Sequence, residues 1–219
     1  MAVTTVVVAD DTPLVRSGIV QLLRSEGFDV VAEAADAVSL LDAVEQLEPD
    51  LVVTDIRMPP TNTDEGLRAA ARIAESHPTI AILVLSQYVE AKSAAALLEG
   101  RRAGVGYLLK ERVTDLEEFA LAVRTIAEGG CVIDPLISEQ LLARRRNDET
   151  IASLSDRERD VLGLMAQGCS NRAIVERLIV SPKTVETHVR SIFIKLGLLE
   201  DADGNRRVQA VVRWLESAD

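Results

Sequence analysis

Residues 51–59 read LVVTDIRMP, and this stretch decides the fold of the first part of the chain. Leu51 to Thr54 form a short, largely apolar run that leads directly into Asp55. Such a run is typical of a strand that is buried on both faces of a parallel sheet. The residue that follows the strand then lies at the carboxyl edge of the sheet, where ligands bind in open α/β folds.

Four similar apolar runs surround this strand and alternate with helical patterns. The predicted strands are 5–9, 30–34, 51–54, 80–85 and 105–109, and the predicted helices are 13–25, 37–47, 65–76, 89–99 and 115–128. Five strand–helix units with buried strands predict an α/β fold, a (βα)5 doubly wound parallel sheet covered on both faces. The glycine pair at 129–130 ends this pattern, so we predict a first domain over residues 1–130.

The negative charge of the chain is concentrated in this first domain. Residues 1–130 carry 21 acidic and 11 basic side chains, whereas residues 151–219 carry 10 of each, and the formal net charge of the chain is −11. A neutral segment can still present a basic face locally. The overall acidity therefore does not exclude a nucleic-acid partner for the second half of the chain.

The composition also bears on where the protein works. No apolar run approaches 20 residues, so we expect no membrane span. The valines at 6–8 follow no basic region, so a strand is favoured over a signal peptide. Cys131 and Cys169 lie far apart without metal-ligand spacing, as expected for free thiols in a reducing compartment. These features predict a cytoplasmic protein.

Chemically distinctive side chains follow four of the predicted strands. They are Asp10, Asp11, Asp55, Ser86 and Lys110. Each alone has an ordinary explanation, since a strand-end aspartate usually caps a helix or turn and a lysine there is usually solvated. Together they predict a cluster of carboxylates that needs a cation, for which Mg²⁺ is suited. A hydroxyl and an ammonium facing the same point suit a transferred phosphoryl group.

The segments VVVADD, VVTDIRMP, LVLS and GYLLK, spread over most of residues 4–128, resemble the receiver domain of response regulators. The resemblance implies that Asp55 accepts a phosphoryl group from a partner histidine kinase. It implies that Asp55 and Asp11 bind Mg²⁺, that Asp10 helps through water, and that the backbone carbonyl of Arg57 completes the site. Ser86 would be the switch hydroxyl and Lys110 a phosphate partner. Tyr107 would be the aromatic switch coupled to Ser86, or otherwise a half-buried strand residue.

The second half of the chain is predicted to be helical. We predict a linker over 131–150, with a helix at 135–146 and exposed polar residues at 147–150, followed by a domain of four short helices over 151–219. Serines are expected to cap three of these helices, at Ser155, Ser170 and Ser181. The third helix has an apolar face and a polar face that carries Lys183, Glu186, Thr187 and Arg190. That pattern fits either a DNA recognition helix or the solvated side of a small bundle.

Residues 154–198 resemble the LuxR-type helix-turn-helix of NarL/FixJ response regulators almost without a gap. The resemblance implies base contacts by Glu186, Thr187 and Arg190, and contacts with or near phosphates by Lys183, Thr184 and Lys195. It also implies double-stranded promoter DNA as a partner, a homodimer in the phosphorylated or DNA-bound state, and RNA polymerase as a further candidate partner.

These resemblances predict a two-component response regulator that acts as a transcription factor, in which phosphorylation of Asp55 changes dimerisation and promoter binding. We expect no enzymatic activity beyond slow self-dephosphorylation. Two alternatives remain at this point. One is a phosphatase that forms an aspartyl-phosphate, although no second catalytic acid is evident. The other is a DNA-binding regulator that works without phosphorylation. Two features favour this alternative: Gln87 directly after Ser86, and the long loop PTNTDEG at residues 60–66.

Overall fold

The computed structural model describes residues 3–98, 103–198 and 205–218. The chain divides into two compact units, one up to Glu139 and the other from Gln140 onward. The first unit therefore extends past residue 130, where the glycine pair had placed the end of the first domain. Each unit has a hydrophobic core of its own.

The first unit is a parallel sheet with helices on both faces. Its strands are β1 Thr5–Ala9, β2 Asp29–Ala34, β3 Leu51–Asp55, β4 Ala81–Ser86, β5 Val105–Leu109 and β6 Cys131–Ile133. Its helices are α1 Pro13–Ser25, α2 Ala37–Leu47, α3 Glu65–Ser76, α4 Ala91–Leu98 and α5 Leu116–Ala127. The strand order is β2-β1-β3-β4-β5-β6, and every neighbouring pair is parallel. The predicted doubly wound α/β fold is confirmed.

The elements differ from the prediction in small ways. The helix predicted over 89–99 begins at Ala91, and Glu99 lies outside the described residues. Residues Lys110–Thr114 form a short 3₁₀ turn between β5 and α5. The strand β6 was not predicted, because a run of three residues between a glycine pair and a proline is too short to show a periodicity.

The core of this unit lies on the face of the sheet that α1 and α5 cover. Side chains from β1, β3 and β4 pack there against both helices, and the cluster includes Val6, Val8, Val53, Leu83, Ile19, Leu23, Phe119 and Val123. The alternate strand residues Val7, Val52 and Ile82 are fully buried as well, on the side of α2 and α3. Burial on both faces explains why these strands read as continuous apolar runs.

Helix α6, Pro135–Ala152, follows β6 and is longer than predicted. Residues 147–150 continue the helix; of these four residues, which were expected to be exposed, Asp148 and Glu149 are exposed and Asn147 and Thr150 are partly buried. No glycine or proline interrupts the segment, and Arg145 pairs with Glu149 one turn later at 3.1 Å. The Thr150 hydroxyl donates to the carbonyl oxygen of Arg146 at 2.6 Å, a bond that a helical residue can make without leaving the helix.

The second unit contains the C-terminal part of α6 and four further helices. These are α7 Asp156–Ala166, α8 Asn171–Leu178, α9 Pro182–Lys195 and α10 Arg206–Ala218. The predicted caps are confirmed: Ser155 forms a capping box with Glu158, and the side chains of Ser170 and Ser181 accept from backbone amides of α8 and α9. The core contains Leu154, Val161, Leu162, Met165, Ile174, Val185, Ile192 and Leu196.

Across the described ranges 3–98, 103–198 and 205–218, no helix is both long enough and apolar enough to cross a membrane.

Candidate functional site

The sheet brings the predicted carboxylates together at its carboxyl edge. Asp10 and Asp11 follow β1, and Asp55 is the last residue of β3, which pairs directly with β1. One carboxylate oxygen from each of the three residues lies within 4.8 Å of the other two. Asp10 and Asp55 are buried, whereas Asp11 is partly exposed. This juxtaposition depends on strands that are far apart in sequence but adjacent in the sheet.

Lys110 neutralises part of this charge. Its ammonium nitrogen lies 2.7 Å from Asp10 Oδ2 and 2.9 Å from Asp55 Oδ2. Burial alone would lower the pKa of Lys110, but the hydrogen bonds and charges of the two carboxylates outweigh it and raise the pKa. Burial raises the pKa of Asp55 above its usual value, and Lys110 offsets only part of that effect. The site therefore holds a carboxylate whose charge is costly in this structure.

The donor set fits a hard divalent cation. Three carboxylates and one ammonium leave a formal charge of −2 when all are ionised, which Mg²⁺ would balance. Oxygen ligands from few protein groups are those that Mg²⁺ prefers, because it retains several waters. Asp10, Asp11 and Asp55 are the residues that would hold the ion or its waters. The backbone carbonyl of Arg57, predicted as a further ligand, stays a prediction.

The hydroxyl of Ser86 is turned toward its own loop. It donates to the carbonyl oxygen of Tyr88 at 2.6 Å and accepts from the Tyr88 amide at 3.2 Å. Gln87, which follows Ser86 in the chain, is exposed. Because the hydroxyl has only one hydrogen, Ser86 can donate to a ligand at Asp55 only by giving up its bond to the Tyr88 carbonyl.

Tyr107 lies deeper than either interpretation of the sequence required. It is on β5 opposite Val84 of β4 and is fully buried, so the description of a half-buried strand residue does not hold. Burial raises the pKa of its hydroxyl to about 12, although the nearby Ser86 hydroxyl acts in the other direction. Within the part of the chain that the structure describes, the buried hydroxyl has no hydrogen-bond partner of good geometry.

Two further residues shape the site and escaped the sequence analysis. A Cβ atom on Gly66 would lie 1.7 Å from the carbonyl oxygen of Asp55, so only glycine fits there. The Gly66 amide instead donates to the Ile56 carbonyl at 2.8 Å and ties the start of α3 to the end of β3. The sequence offered one signal, an isolated glycine at the start of a predicted helix.

Glu65 is the second such residue, and it folds the long loop after Pro60. Its buried carboxylate accepts from the Thr61 hydroxyl and amide and from the Thr63 amide, the last at 2.9 Å. These bonds, that of the Thr61 hydroxyl foremost, lower the pKa of Glu65 to about 2. The loop is therefore ordered around a carboxylate that is not part of the acidic cluster.

The polar face of α9 is open to solvent. Lys183, Glu186, Thr187 and Arg190 are exposed, and Thr184 is partly buried. Among the described residues, Lys183, Glu186 and Arg190 have no ion-pair partner, and the Thr187 hydroxyl donates to the Lys183 carbonyl at 2.8 Å. The opposite face packs into the core through Val185 and Ile192. Charged groups on one exposed face at helical spacing form a surface that can contact the major groove.

Lys195 differs from the other charged residues predicted to contact DNA, because among the described residues it has an ion-pair partner. Its ammonium lies 2.7 Å from Glu158 Oε2 and donates to the Ser153 carbonyl at 3.2 Å. Glu158 also accepts from the Ser191 hydroxyl at 2.6 Å. Burial would raise the pKa of Glu158, but Lys195, Ser191 and the Ser155 amide lower it to about 2. These bonds anchor α9 on α7, so Lys195 holds the helix in place whether or not it approaches phosphate.

Comparisons with known proteins agree with this geometry. The family model of the response regulator receiver domain matches residues 6–122, and that of bacterial regulatory proteins of the luxR family matches residues 152–208. The oxygen regulatory protein NreC of Staphylococcus aureus is 36% identical over 203 residues, which cover 88% of this chain and 91% of NreC.

Solved structures of RcsB are similar over nearly the whole chain. RcsB of Salmonella typhimurium matches with a TM-score of 0.69 at 26% identity, covering 97% of this chain and 98% of that one. A structure of two RcsB dimers bound to two parallel DNAs matches with a TM-score of 0.58 at 26% identity and full coverage of both chains. The chain belongs to the response regulators that combine a receiver domain with a DNA-binding domain of the luxR family.

Proposed function

We propose that this response regulator accepts a phosphoryl group on Asp55 from a sensor histidine kinase in the cytoplasm, and that the phosphorylated form binds promoter DNA as a dimer through α9. The observation that carries the proposal is the carboxylate cluster at the sheet edge, in which Lys110 bridges Asp10 and Asp55. The RcsB dimers bound to DNA support the second half of the proposal.

The chemistry follows from the carboxylate of Asp55. One of its oxygens attacks phosphorus while the bond between phosphorus and the kinase histidine nitrogen breaks, and the imidazole leaves. The other oxygen, Oδ1, accepts from the Ile56 amide at 2.8 Å, which fixes the orientation of the carboxylate. Bound Mg²⁺ would supply charge neutralisation for the phosphoryl oxygens. Lys110 lies close enough to transfer its hydrogen bond from Asp55 to one of those oxygens.

Phosphorylation changes the balance of hydrogen bonds around Ser86. A phosphoryl group on Asp55 offers strong acceptors to a hydroxyl that now donates to the Tyr88 carbonyl. When Ser86 leaves that carbonyl, the loop before α4 loses a bond and Tyr107 has a changed neighbour. A local charge thus biases a surface made by α4, β5 and α5.

On the DNA side, exposed groups of α9 divide by chemistry. Arg190 can donate two bonds to a guanine, and Glu186 can accept from the amino group of a cytosine. Lys183 and Thr184 at the helix start would contact phosphates, which position the protein without reading sequence. Glu186 therefore favours operators with a cytosine at the position that it faces.

The test is intact-protein mass spectrometry after incubation with acetyl phosphate and Mg²⁺, for the wild type, Asp55→Asn and Asp42→Asn. Asp42 is an exposed aspartate of α2 and serves as the matched control. One phosphoryl group on the wild type and on Asp42→Asn, but none on Asp55→Asn, is the expected result. DNA affinity, measured on the same samples, should rise with phosphorylation. A DNA affinity that is equal in all samples would favour a regulator that works without phosphorylation.

The metal site has a test that does not depend on phosphorylation. Mg²⁺ should raise the thermal unfolding temperature of the wild type, because an ion that binds only the folded state stabilises it. Asp11→Asn removes a carboxylate that is partly exposed and is expected to abolish this rise without unfolding the protein. An equal rise in both proteins would show that the ion binds elsewhere.

A further inference from the structure

A partly buried ion pair connects the turn that begins with Lys110 to the helix that follows β6. Arg112 lies in the 3₁₀ turn that begins with Lys110, and its Nε is 2.9 Å from Oδ2 of Asp134. Asp134 is fully buried, whereas the Arg112 side chain is 33% exposed. A buried carboxylate is costly unless it is paired, so this arrangement is tightly specified.

Asp134 is also the residue on which α6 begins. Its Oδ1 accepts from the Leu136 amide at 3.0 Å, and its carbonyl accepts from the Ser138 amide at 2.9 Å. Its own amide donates to the carbonyl of Tyr107 at 2.8 Å, next to the strand pairing of β6 with β5. Asp134 therefore makes hydrogen bonds with three parts of the first unit: the first turn of α6, the backbone of Tyr107, and the turn that contains Lys110 and Arg112.

The electrostatics agree with a permanent pair. Burial alone would raise the pKa of Asp134, but the bonds from Arg112 and from the Leu136 amide outweigh it and lower the pKa. Pairing with Asp134 raises the pKa of Arg112. Ile137, in the first turn of α6, is fully buried and holds the same segment by packing. The start of α6 is thus tied to the β5–α5 turn by the ion pair, and the burial of Ile137 holds the same first turn of the helix.

We propose that the Arg112–Asp134 pair passes a displacement of Lys110 and Tyr107 at the phosphorylation site to helix α6. This inference rests on the proposed function, because it assigns a route for the phosphorylation signal. Lys110 and Arg112 share one short turn, so a shift of the lysine toward a phosphoryl oxygen moves the guanidinium. The chain passes through α6 from the first unit to the second, and α6 begins at the residue that the guanidinium holds. Both residues are positioning residues and touch no phosphate.

The experiment compares the full-length wild type with the double variant Arg112→Met/Asp134→Asn. The double variant removes both charges together, so no buried charge is left without a partner, and asparagine retains an oxygen to cap Leu136. Arg124→Gln, which breaks the surface pair with Glu26, is the matched control. The DNA probe is a labelled double-stranded fragment selected from random sequence by phosphorylated wild type. Its affinity is measured before and after treatment with acetyl phosphate and Mg²⁺.

The readout is the ratio of DNA affinities of the phosphorylated and unphosphorylated forms. We expect the double variant to take up phosphate as the wild type does, while this ratio falls by about 2- to 30-fold, the size found for residues that carry coupling between distant sites. The control should keep the wild-type ratio. A ratio equal to that of the wild type overturns this inference alone. A wild type whose DNA affinity does not respond to phosphorylation overturns the proposed function, and this inference with it.

A purely structural role is distinguished by a second measurement. If the variant were only less stable, its unphosphorylated DNA affinity and its uptake of phosphate would fall as well. Arg112→Lys keeps the charge and is expected to restore a large part of the ratio. A ratio that stays low in Arg112→Lys, together with reduced phosphate uptake, would overturn the inference in favour of simple misfolding.

Discussion

The charged groups at the sheet edge and those on α9 are held in opposite ways. Asp10 and Asp55 are buried and share the ammonium of Lys110, whereas Lys183 and Arg190 are exposed and have no ion-pair partner among the described residues. Buried charges depend on each other, because each is costly without its partner. Exposed charges contribute little to folding and are available to a ligand. The proposed phosphorylation site is therefore built from charges that stabilise one another, whereas the proposed DNA-binding face carries charges that are open to an external partner.

The most disruptive change within the first region is expected at Gly66. Gly66→Ala forces a Cβ against the Asp55 carbonyl oxygen, so β3 or α3 must shift at a cost of at least about 3 kcal/mol. Chemical denaturation followed by circular dichroism would measure this loss of stability. Gly18→Ala is the control: Gly18 lies inside α1 with open space at its Cβ position, and alanine there should be neutral or stabilising by about 0.5–1 kcal/mol. Equal stability of both variants would contradict the crowding at Gly66.

Replacing Lys110 tests directly whether the buried carboxylates of Asp10 and Asp55 depend on its ammonium group. Lys110→Met leaves two buried carboxylates facing each other and should reduce the free energy of unfolding at pH 7 by about 3 kcal/mol, the lower end for a buried pair, because Lys110 is partly exposed. The pKa of Asp55 is raised already and will rise further, so the folded variant binds protons more tightly than the unfolded chain. Its deficit relative to the wild type should therefore shrink as the pH falls toward about 4. Lys92→Met, on the exposed side of α4, should show no such pH dependence.

Glu158 is an exception to this contrast between the two regions, because it belongs to the second unit but its charged side chain is buried. Glu158→Gln should destabilise this unit by about 2 kcal/mol at pH 7, since it weakens bonds from Lys195, Ser191 and Ser155. The folded pKa is about 2, below the ordinary value of 4.5. The stabilisation is thus complete above pH 4.5 and is lost as the pH falls through about 2. Fluorescence of Trp214, the only tryptophan, reports on this unit because Trp214 packs against its core.

The result that would weaken this account is a stability difference between wild type and Glu158→Gln that stays constant from pH 7 to pH 2.5. Glu176→Gln is a suitable control, because Glu176 makes an exposed pair with Arg172 on α8 and should contribute little at any pH.

The smallest effect on folding, and the clearest effect on binding, is expected at Arg190. Arg190→Ala should change the free energy of unfolding by less than about 0.5 kcal/mol, because the side chain is exposed and unpaired in the described part of the chain. Its DNA affinity should fall by about 1–3 kcal/mol with relaxed preference at one base pair. Lys183→Ala should instead weaken binding to all sequences and reduce the salt dependence. Fluorescence anisotropy at several salt concentrations separates the two, with Arg157→Ala on α7 as the control.

The parts of this molecule that follow from periodicity could be predicted from its sequence. Five strands, their helices and three helix caps were predicted because each leaves a local pattern of apolar residues, serines and glycines. The convergence of Asp10, Asp55 and Lys110 was also predicted, because the carboxyl ends of parallel strands lie at one edge of the sheet. The comparisons confirm the family that these motifs indicated.

Contacts between distant residues could not be predicted in the same way. The pairing of Lys195 with Glu158 and of Arg112 with Asp134 depends on which helix faces which, and no local pattern records that. The requirement for glycine at position 66 depends on the approach of another backbone. The continuation of α6 through 147–150 could not be predicted from periodicity, because these four residues are all polar and leave no apolar pattern.

The strand β6 has a consequence for dividing the protein into fragments. It covers the edge of β5, so a fragment that ends at residue 130 would expose a row of backbone amides and carbonyls along Val105–Tyr107. Such an open edge invites pairing with another chain and self-association. A fragment that ends after Glu139 keeps the edge covered and retains both Asp134 and the buried Ile137. The three residues of β6 thus replace the longer edge of β5 with a short edge strand on that side of the sheet.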